Sequence, residues 1–250
     1  MRSLSFVSTQ LEGIVLKSFD YQDHHKIVKM ISPSHGLISV FVGYANKKKS
    51  RYRALAEPLT CVSVNVKTPT DERSGLYYLV HGDIVDYFYE LKVDYEKIMM
   101  FYEMAEIIIR GDIDDYYLPY AYRTLQSILK IFATVDTLRF RFGVVIFKAK
   151  MMAAIGLLPA IDGCVSCQTT NKIVTASVSE GGLICETCYA GDGIWISAAL
   201  VPLWRGLFKG PIERLVMLDV GIAEVEVLET WMKAYYESYS NIRFAERLEV

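Results

Sequence analysis

Glu12-Gly-Ile-Val-Leu-Lys17, His25-Lys-Ile-Val-Lys-Met-Ile31 and Gly36-Leu-Ile-Ser-Val-Phe-Val-Gly43 are three short, β-branched runs set close together and divided by turn-forming residues. Alternation of this kind fits half-buried strands, and Ser32-Pro33-Ser34-His35-Gly36 supplies a proline and a glycine for the reversal between the second and third. Two more runs of the same character follow, Leu59 to Lys67 and Gly75 to His81, with Thr68-Pro69-Thr70-Asp71 as the turn before the fifth. Five short strands in so little chain suit a small closed barrel of the oligonucleotide-binding (OB) type better than an open sheet with unpaired edges.

After His81 the period changes. Asp94 to Arg110, Tyr116 to Val135 and Thr137 to Leu158 carry apolar residues at helical spacing, as at Ile98, Phe101, Tyr102, Ala105 and Ile108. Gly156-Leu-Leu-Pro159 stops the third of these, and a cysteine-bearing segment runs on to about Trp195. Ser197 then suits the N-cap of a short helix reaching Lys209, and Ile222 to Ser240 a final amphipathic helix. The chain is thus expected to be a multidomain α+β protein. Residues 1–82 form the five-stranded OB-fold β-barrel, and residues 83–250 an all-helical domain with a four-cysteine zinc-binding insertion at about 160–195.

Of the 250 residues 52 % are hydrophobic and are spread along the whole chain, which excludes a disordered protein. A membrane helix is not expected, because Lys148 and Lys150 interrupt the most apolar stretch, Phe142 to Leu158, and roughly 20 uninterrupted residues are needed. Met1 to Glu12 lacks the apolar core of an export signal, so a cytoplasmic location is expected. The net charge of −2 conceals an asymmetry: residues 1–80 hold 11 Lys and Arg against 6 Asp and Glu, a net of +5, whereas residues 81–250 carry −7.

Four of the five cysteines fall into two pairs, Cys164-Val-Ser-Cys167 and Cys185-Glu-Thr-Cys188, separated by 17 residues. Two residues between cysteines let one tight turn aim both sulfurs at the same point, and two such turns complete a tetrahedral shell. Gly163 and Gly181-Gly182 precede the pairs and ease the turns. A closed four-sulfur shell leaves no place for water, so one structural zinc ion is expected; four cysteines can also hold iron. A redox pair would need a βαβ context that is missing, and disulfides an oxidising compartment. Cys61, in an apolar strand, is expected to be a core residue.

The densest charge run is Gly43-Tyr-Ala-Asn-Lys-Lys-Lys-Ser50 with Arg51, Tyr52 and Arg53. It mimics a phosphate-binding G-x-x-x-x-G-K-S loop, but Lys48 stands where the second glycine must let phosphate approach the backbone. A nucleic-acid surface fits better. Lys47, Lys48, Lys49, Arg51 and Arg53 would neutralise phosphates while Tyr44 and Tyr52 offer stacking faces, with Lys17 and Lys26 as further contacts on the same barrel. The plainer alternative is a solvated loop that only keeps the protein soluble. No catalytic signature is present: there is no zinc-protease motif and no nucleophile elbow, and the histidines His24, His25, His35 and His81 sit at turns or strand ends. Asp112-Ile-Asp-Asp115 is expected to be an interhelical loop with capping carboxylates.

Glu12-Gly-Ile-Val-Leu-Lys17, Asp23-His-His-Lys-Ile-Val28, His35-Gly-Leu-Ile38 and the basic turn from Gly43 to Arg51 together resemble the opening of the RecO family of bacterial recombination mediators. Gly156-Leu-Leu-Pro159, both cysteine pairs and Ile242-Arg-Phe244 resemble the zinc-bearing form of that family, so that the resemblance spans nearly the whole chain. It implies a non-enzymatic protein that binds single- and double-stranded DNA, anneals complementary strands, and with RecR, sometimes with RecF, helps RecA replace single-stranded DNA-binding protein (SSB). In some relatives the acidic SSB tail docks in the helical domain. The family turn that usually carries arginine and proline reads Tyr44-Ala-Asn-Lys-Lys-Lys in this chain. The alternative from another class is a zinc-stabilised protein-interaction scaffold whose barrel touches no nucleic acid; a zinc-dependent nucleic-acid enzyme is a third reading, opposed by the closed sulfur shell.

Overall fold

A computed structural model describes residues 6–69 and 75–244. The chain falls into two compact units, Met1–Ala105 with Asp114–Thr134, and Glu106–Ile113 with Val135–Val250. In the first, β1 (Phe6–Tyr21), β2 (His25–Ser32), β3 (Gly36–Val42), β4 (Thr60–Pro69) and β5 (Leu76–Asp86) close into a barrel in the order β1-β2-β3-β5-β4. Thr70 and Asp71, read as part of the turn before the fifth strand, lie outside the described residues.

The first strand begins well before Glu12, and its 16 residues serve two partners. Its first part pairs antiparallel with β4, from Phe6↔Pro69 to Val15↔Thr60, and its second with β2, from Ile14↔Ile31 to Tyr21↔His25. The switch needs a bend, which a register shift between Val15 and Lys17 provides. Gly13 sits at this corner because a Cβ there would lie 2.3 Å from Met30 Cε and 2.6 Å from the Ile31 carbonyl oxygen. Closure on the far side is the parallel pairing of β3 with β5, Ser39↔Leu76 to Phe41↔Tyr78.

Alternation sorts the walls. Val15, Val28, Met30, Val40, Val64 and Val66 point into the interior, each worth roughly 1.5–3 kcal/mol when fully buried. The long β3–β4 connection turns inward as well: Ala45, Leu55 and Ala56 join the same core. On the outer wall, the cross-strand row Ile31–Ile14–Cys61 is completely buried. Nearby, α3 (Leu118–Ile131) lies on the barrel, its Tyr122 hydroxyl donating to Glu12 Oε1 at 2.7 Å and Leu118 packing at Gly36. Cys61 is therefore a core residue, its thiol pushed up to about 11 by burial and by the Glu12 charge. Between β5 and α3 come a short α1 (Tyr89–Lys92) and α2 (Tyr95–Arg110), and Asp114 caps the turn that follows by accepting from the Tyr116 N–H at 2.8 Å.

The second unit is organised around α4 (Thr137–Ala154), in which every residue from Phe142 to Met152 is buried. Against it pack α5 (Leu200–Lys209) and α7 (Ile222–Tyr239), with the short α6 (Ile212–Leu215) between them in sequence. Its charges are matched. Arg141 forks onto Glu229 at 2.6 and 3.2 Å, and Lys150 donates to the carbonyls of Phe208 and Gly210 at the C-terminal end of α5, where the helix dipole favours a cation. The helix stops at Ala154, short of Leu158, as Gly156 takes a left-handed φ of 72° and the Leu157 N–H reaches back to the Met152 carbonyl. The Ser197 hydroxyl accepts from the Leu200 N–H at the start of α5, and α7 starts at Ile222 as expected. The helical part is not all-helical. The cysteine segment holds a three-stranded sheet, β7-β6-β8, built from β6 (Ile173–Ser177), β7 (Gly182–Cys185) and β8 (Ile194–Trp195). Strands of two to five residues are too short to show a period in sequence. Among the described residues no helix is long and apolar enough to cross a membrane.

One ion pair at the barrel carries a pH signature. The Lys92 ammonium donates to Thr60 Oγ1 at 2.7 Å, lies 3.7 Å from the Glu57 carboxylate and sits 3.5 Å from the centre of the Tyr87 ring. Burial pushes it down to about 8 from the ordinary 10.5, against the pull of Glu57. A depressed lysine means that the unfolded chain binds more protons between those values, so the contribution of Lys92 to stability rises as pH rises from 8 towards 10.5 and is lost on the way down. In denaturant titrations at pH 8 and pH 10, the unaltered chain should gain stability relative to Lys92→Met at the higher pH; parallel profiles would contradict the burial of this charge.

Candidate nucleic-acid face and metal centre

The basic turn owes its shape to its two ends. Ala45 at one end and Leu55 with Ala56 at the other are held in the barrel core, so the residues between them are displayed from fixed points. Consecutive turns are closed by Lys47 N–H to the Tyr44 carbonyl at 3.2 Å, Ser50 to Lys47 at 2.9 Å and Arg53 to Ser50 at 3.3 Å. Tyr44 takes a left-handed φ of 59°, and its N–H donates to His25 Nδ1 at 3.1 Å. Asn46 ties the turn to the β1–β2 hairpin by donating to Asp20 at 3.0 Å.

Lys47, Lys48, Lys49, Arg51 and Arg53 are all exposed, as is Tyr44, while Tyr52 is half-buried against the barrel core and donates its hydroxyl to the Val80 carbonyl at 3.1 Å. The Lys47 ammonium lies 4.4 Å from the centre of the Tyr44 ring, and the Arg51 guanidinium 4.6 Å from that of Tyr52, to whose hydroxyl it also donates. Lys26 is paired with Asp20 at 2.9 Å; the hydrogen bonds of Lys26 and Asn46 hold that carboxyl below the usual range. Lys17 stands in a cross-strand row with Lys29 and Ser39, its ammonium 5.6 Å from the Phe19 ring centre.

Next to that row lies one that sequence alone does not reveal. Phe19↔Ile27, Ile27↔Phe41, Phe41↔Tyr78 and Tyr78↔Lys67 are successive cross-strand partners, so their side chains share the outer wall across all five strands. His25 extends it, 5.1 Å from Phe41 and 5.0 Å from Tyr44 between ring centres, and Tyr21 meets Phe41 edge-on at 6.0 Å. The signal in the sequence was outward-facing aromatics at the alternate positions of three strands, but lining them up needs the register.

In the second unit the four sulfurs of Cys164, Cys167, Cys185 and Cys188 lie within 4.8 Å of one another, with Cys167 and Cys185 at 3.7 Å. A tetrahedral ion with sulfur arms of about 2.3 Å needs sulfurs about 3.8 Å apart, so this group of cysteines fits a metal ion. The first knuckle is closed by the Gln168 N–H to the Cys164 carbonyl at 2.9 Å, the second by Cys188 to Cys185 at 3.1 Å. Gly163 is required by close approach, since a Cβ there would lie 2.6 Å from the Gln168 carbonyl oxygen. Burial opposes ionisation of Cys164, but the backbone groups of Cys185, Cys167 and Ser166 outweigh it and bring that thiol down to about 6. Cys188 is pushed up to about 12 by its thiol neighbours Cys167 and Cys185.

Comparison with known proteins points one way. Residues 5–88 match the family model described as Recombination protein O N terminal, and residues 93–247 that of Recombination protein O C terminal. The chain is 27 % identical over 248 residues to the DNA repair protein RecO of Halalkalibacterium halodurans, covering 95 % of this chain and 94 % of the relative. It is 28 % identical over 249 residues to that of Bacillus subtilis, covering 96 % and 95 %, and 28 % over 239 residues to that of Listeria monocytogenes, covering 94 % and 91 %.

If the sulfur cluster holds a structural ion, protein purified under reducing conditions should contain about one metal ion per chain, and its removal or Cys185→Ser should lower stability by several kcal/mol. Elemental analysis with thermal unfolding checks this; metal-free protein with an unchanged midpoint in the serine variant would exclude a structural ion.

Proposed function

Because this chain belongs to the RecO family, we propose that it is a non-enzymatic recombination mediator in DNA repair, binding single- and double-stranded DNA through residues 1–82 and meeting its protein partners through residues 83–250. The observation that carries the DNA reading is the basic turn: five exposed cations and an exposed tyrosine, held out from a closed barrel by a core anchor at each end. A fixed turn presents its charges to phosphate at a lower entropic cost than a loose one would. The strand order, with one parallel contact between β3 and β5 in an otherwise antiparallel barrel, supports the OB assignment.

In this reading Lys47, Lys48, Lys49, Arg51 and Arg53 neutralise backbone phosphates, Lys17 and Lys26 extend the contact, and Tyr44 and Tyr52 take bases. Bound strands held this way are brought together for annealing, and with RecR, and with RecF where it acts, the protein assists loading of RecA on SSB-coated DNA. Cys164, Cys167, Cys185 and Cys188 hold one structural zinc ion, whose four-sulfur shell leaves no position for a reacting water. The place of action is the cytoplasm, at the nucleoid.

Changing Lys47, Lys48 and Lys49 together to Ala tests the reading by fluorescence anisotropy with labelled oligonucleotides over a range of salt. Three lost phosphate contacts should reduce the slope of log affinity against log salt by about 2 on single strands, at about −0.7 per contact. Unchanged affinity and slope would remove the turn from the interface.

A further inference from the structure

We infer that the aromatic row on the open wall of the barrel is a stacking platform for unpaired bases, which gives this face its preference for single-stranded over duplex DNA. The inference rests on the proposed DNA binding and goes beyond the basic turn, which grips any phosphate backbone.

The barrel wall is treated in two different ways. The row Ile31–Ile14–Cys61 is completely buried, whereas Phe19 is 44 %, Tyr21 43 %, Tyr44 56 % and Tyr78 40 % exposed. Rings of this size normally contribute to a core, and a contiguous exposed group of them marks a surface that is covered in use. Tyr78, Phe41, His25 and Tyr44 form an unbroken chain of neighbours with ring centres 5.6, 5.1 and 5.0 Å apart, running across the strands.

What covers such a chain is decided by its margins. Lys17 and Lys29 form the adjoining row on one side, Lys67 ends the aromatic row itself, and Lys47 stands over Tyr44 at the other limit. Of the carboxylates at this edge, Asp20 is already held by Lys26 and Asn46, and Asp23 lies exposed in the β1–β2 turn. Aromatic faces bordered by cations complement a polymer that offers flat π faces along a polyanionic backbone. A duplex cannot use them, because its bases are stacked on each other at roughly 3.4 Å per nucleotide and show only their edges. A single strand, whose bases can be splayed apart, can lay their faces on such rings.

The test separates bases from phosphates. Anisotropy titrations of the full chain would use three probes: a labelled oligothymidylate, an oligonucleotide of equal length made entirely of abasic sites, and a duplex. The unaltered chain should bind the thymidylate about tenfold or more tighter than the abasic strand. The double variant Phe41→Ala, Tyr78→Ala should lose most of that preference, the remainder being carried by Tyr44 and Tyr52, with duplex binding unchanged. Should the double variant fail to fold, Tyr78→Ala alone carries the comparison, since its neighbours Tyr77 and Leu79, not Tyr78, pack against the interior. A variant that keeps the full preference for bases, or an unaltered chain that shows none, overturns the platform; a wall that takes a protein segment instead would give the first of these results. Absence of binding to every probe, duplex included, would overturn the DNA function itself.

Discussion

The two-sided pairing of β1 is the constraint on which the first unit depends. One strand of 16 residues hydrogen-bonds β4 along its first part and β2 along its second, turning the corner at Gly13 and the register shift beyond Val15. Closure of this kind gives each of the five described strands a neighbour on both sides. It also places β3 beside β5 in parallel, so the chain must cross from β3 to β4 by a long connection. That connection is the basic turn. Its charge is displayed because its ends, Ala45 and Leu55 with Ala56, are needed inside the barrel. The same closure fixes the register that sets Phe19, Phe41 and Tyr78 in one row.

Much of this was legible in the sequence, and the reasons differ by element. The hydrophobic alternation of β2 and β3 is clean because one side faces the interior and the other is only half covered. The cysteine spacing identified the sulfur cluster outright, because a metal shell is set by chemistry within a few residues of each ligand. The opening of β1 is harder to read: Ser8, Thr9 and Gln10 are a polar run without a β-strand signature of their own, yet they pair with Lys67, Val66 and Asn65. Likewise β5 runs on past His81 to Asp86; two register shifts break its alternation, and Ile84 and Val85 are exposed. His25 looked like a turn histidine and proves to link Phe41 with Tyr44, a role that exists only once three segments are brought together. Long-range register is the common element in these cases, and local propensity does not encode it.

The second unit meets a different physical problem. α4 is buried on all sides from Phe142 to Met152, so its hydrophobicity has no preferred face and its two lysines need partners within the protein. Lys150 finds them at the carbonyl end of α5, and Lys148 lies 4.5 Å from the Phe244 ring centre. The cysteine knuckles fasten a small sheet whose strands have too few residues to stand alone. The charge separation between the basic first 80 residues and the acidic remainder fits a chain in which only one part is built to meet a polyanion.

The most direct test of the claim that the barrel is the DNA-binding part is amide hydrogen exchange of the full chain with and without a saturating single-stranded oligonucleotide. Slowed exchange should concentrate in the basic turn, residues 43–53, and in the β1–β3 wall, with α4 and α7 unaffected. Protection confined to residues 135–244, with the barrel unchanged, would contradict it.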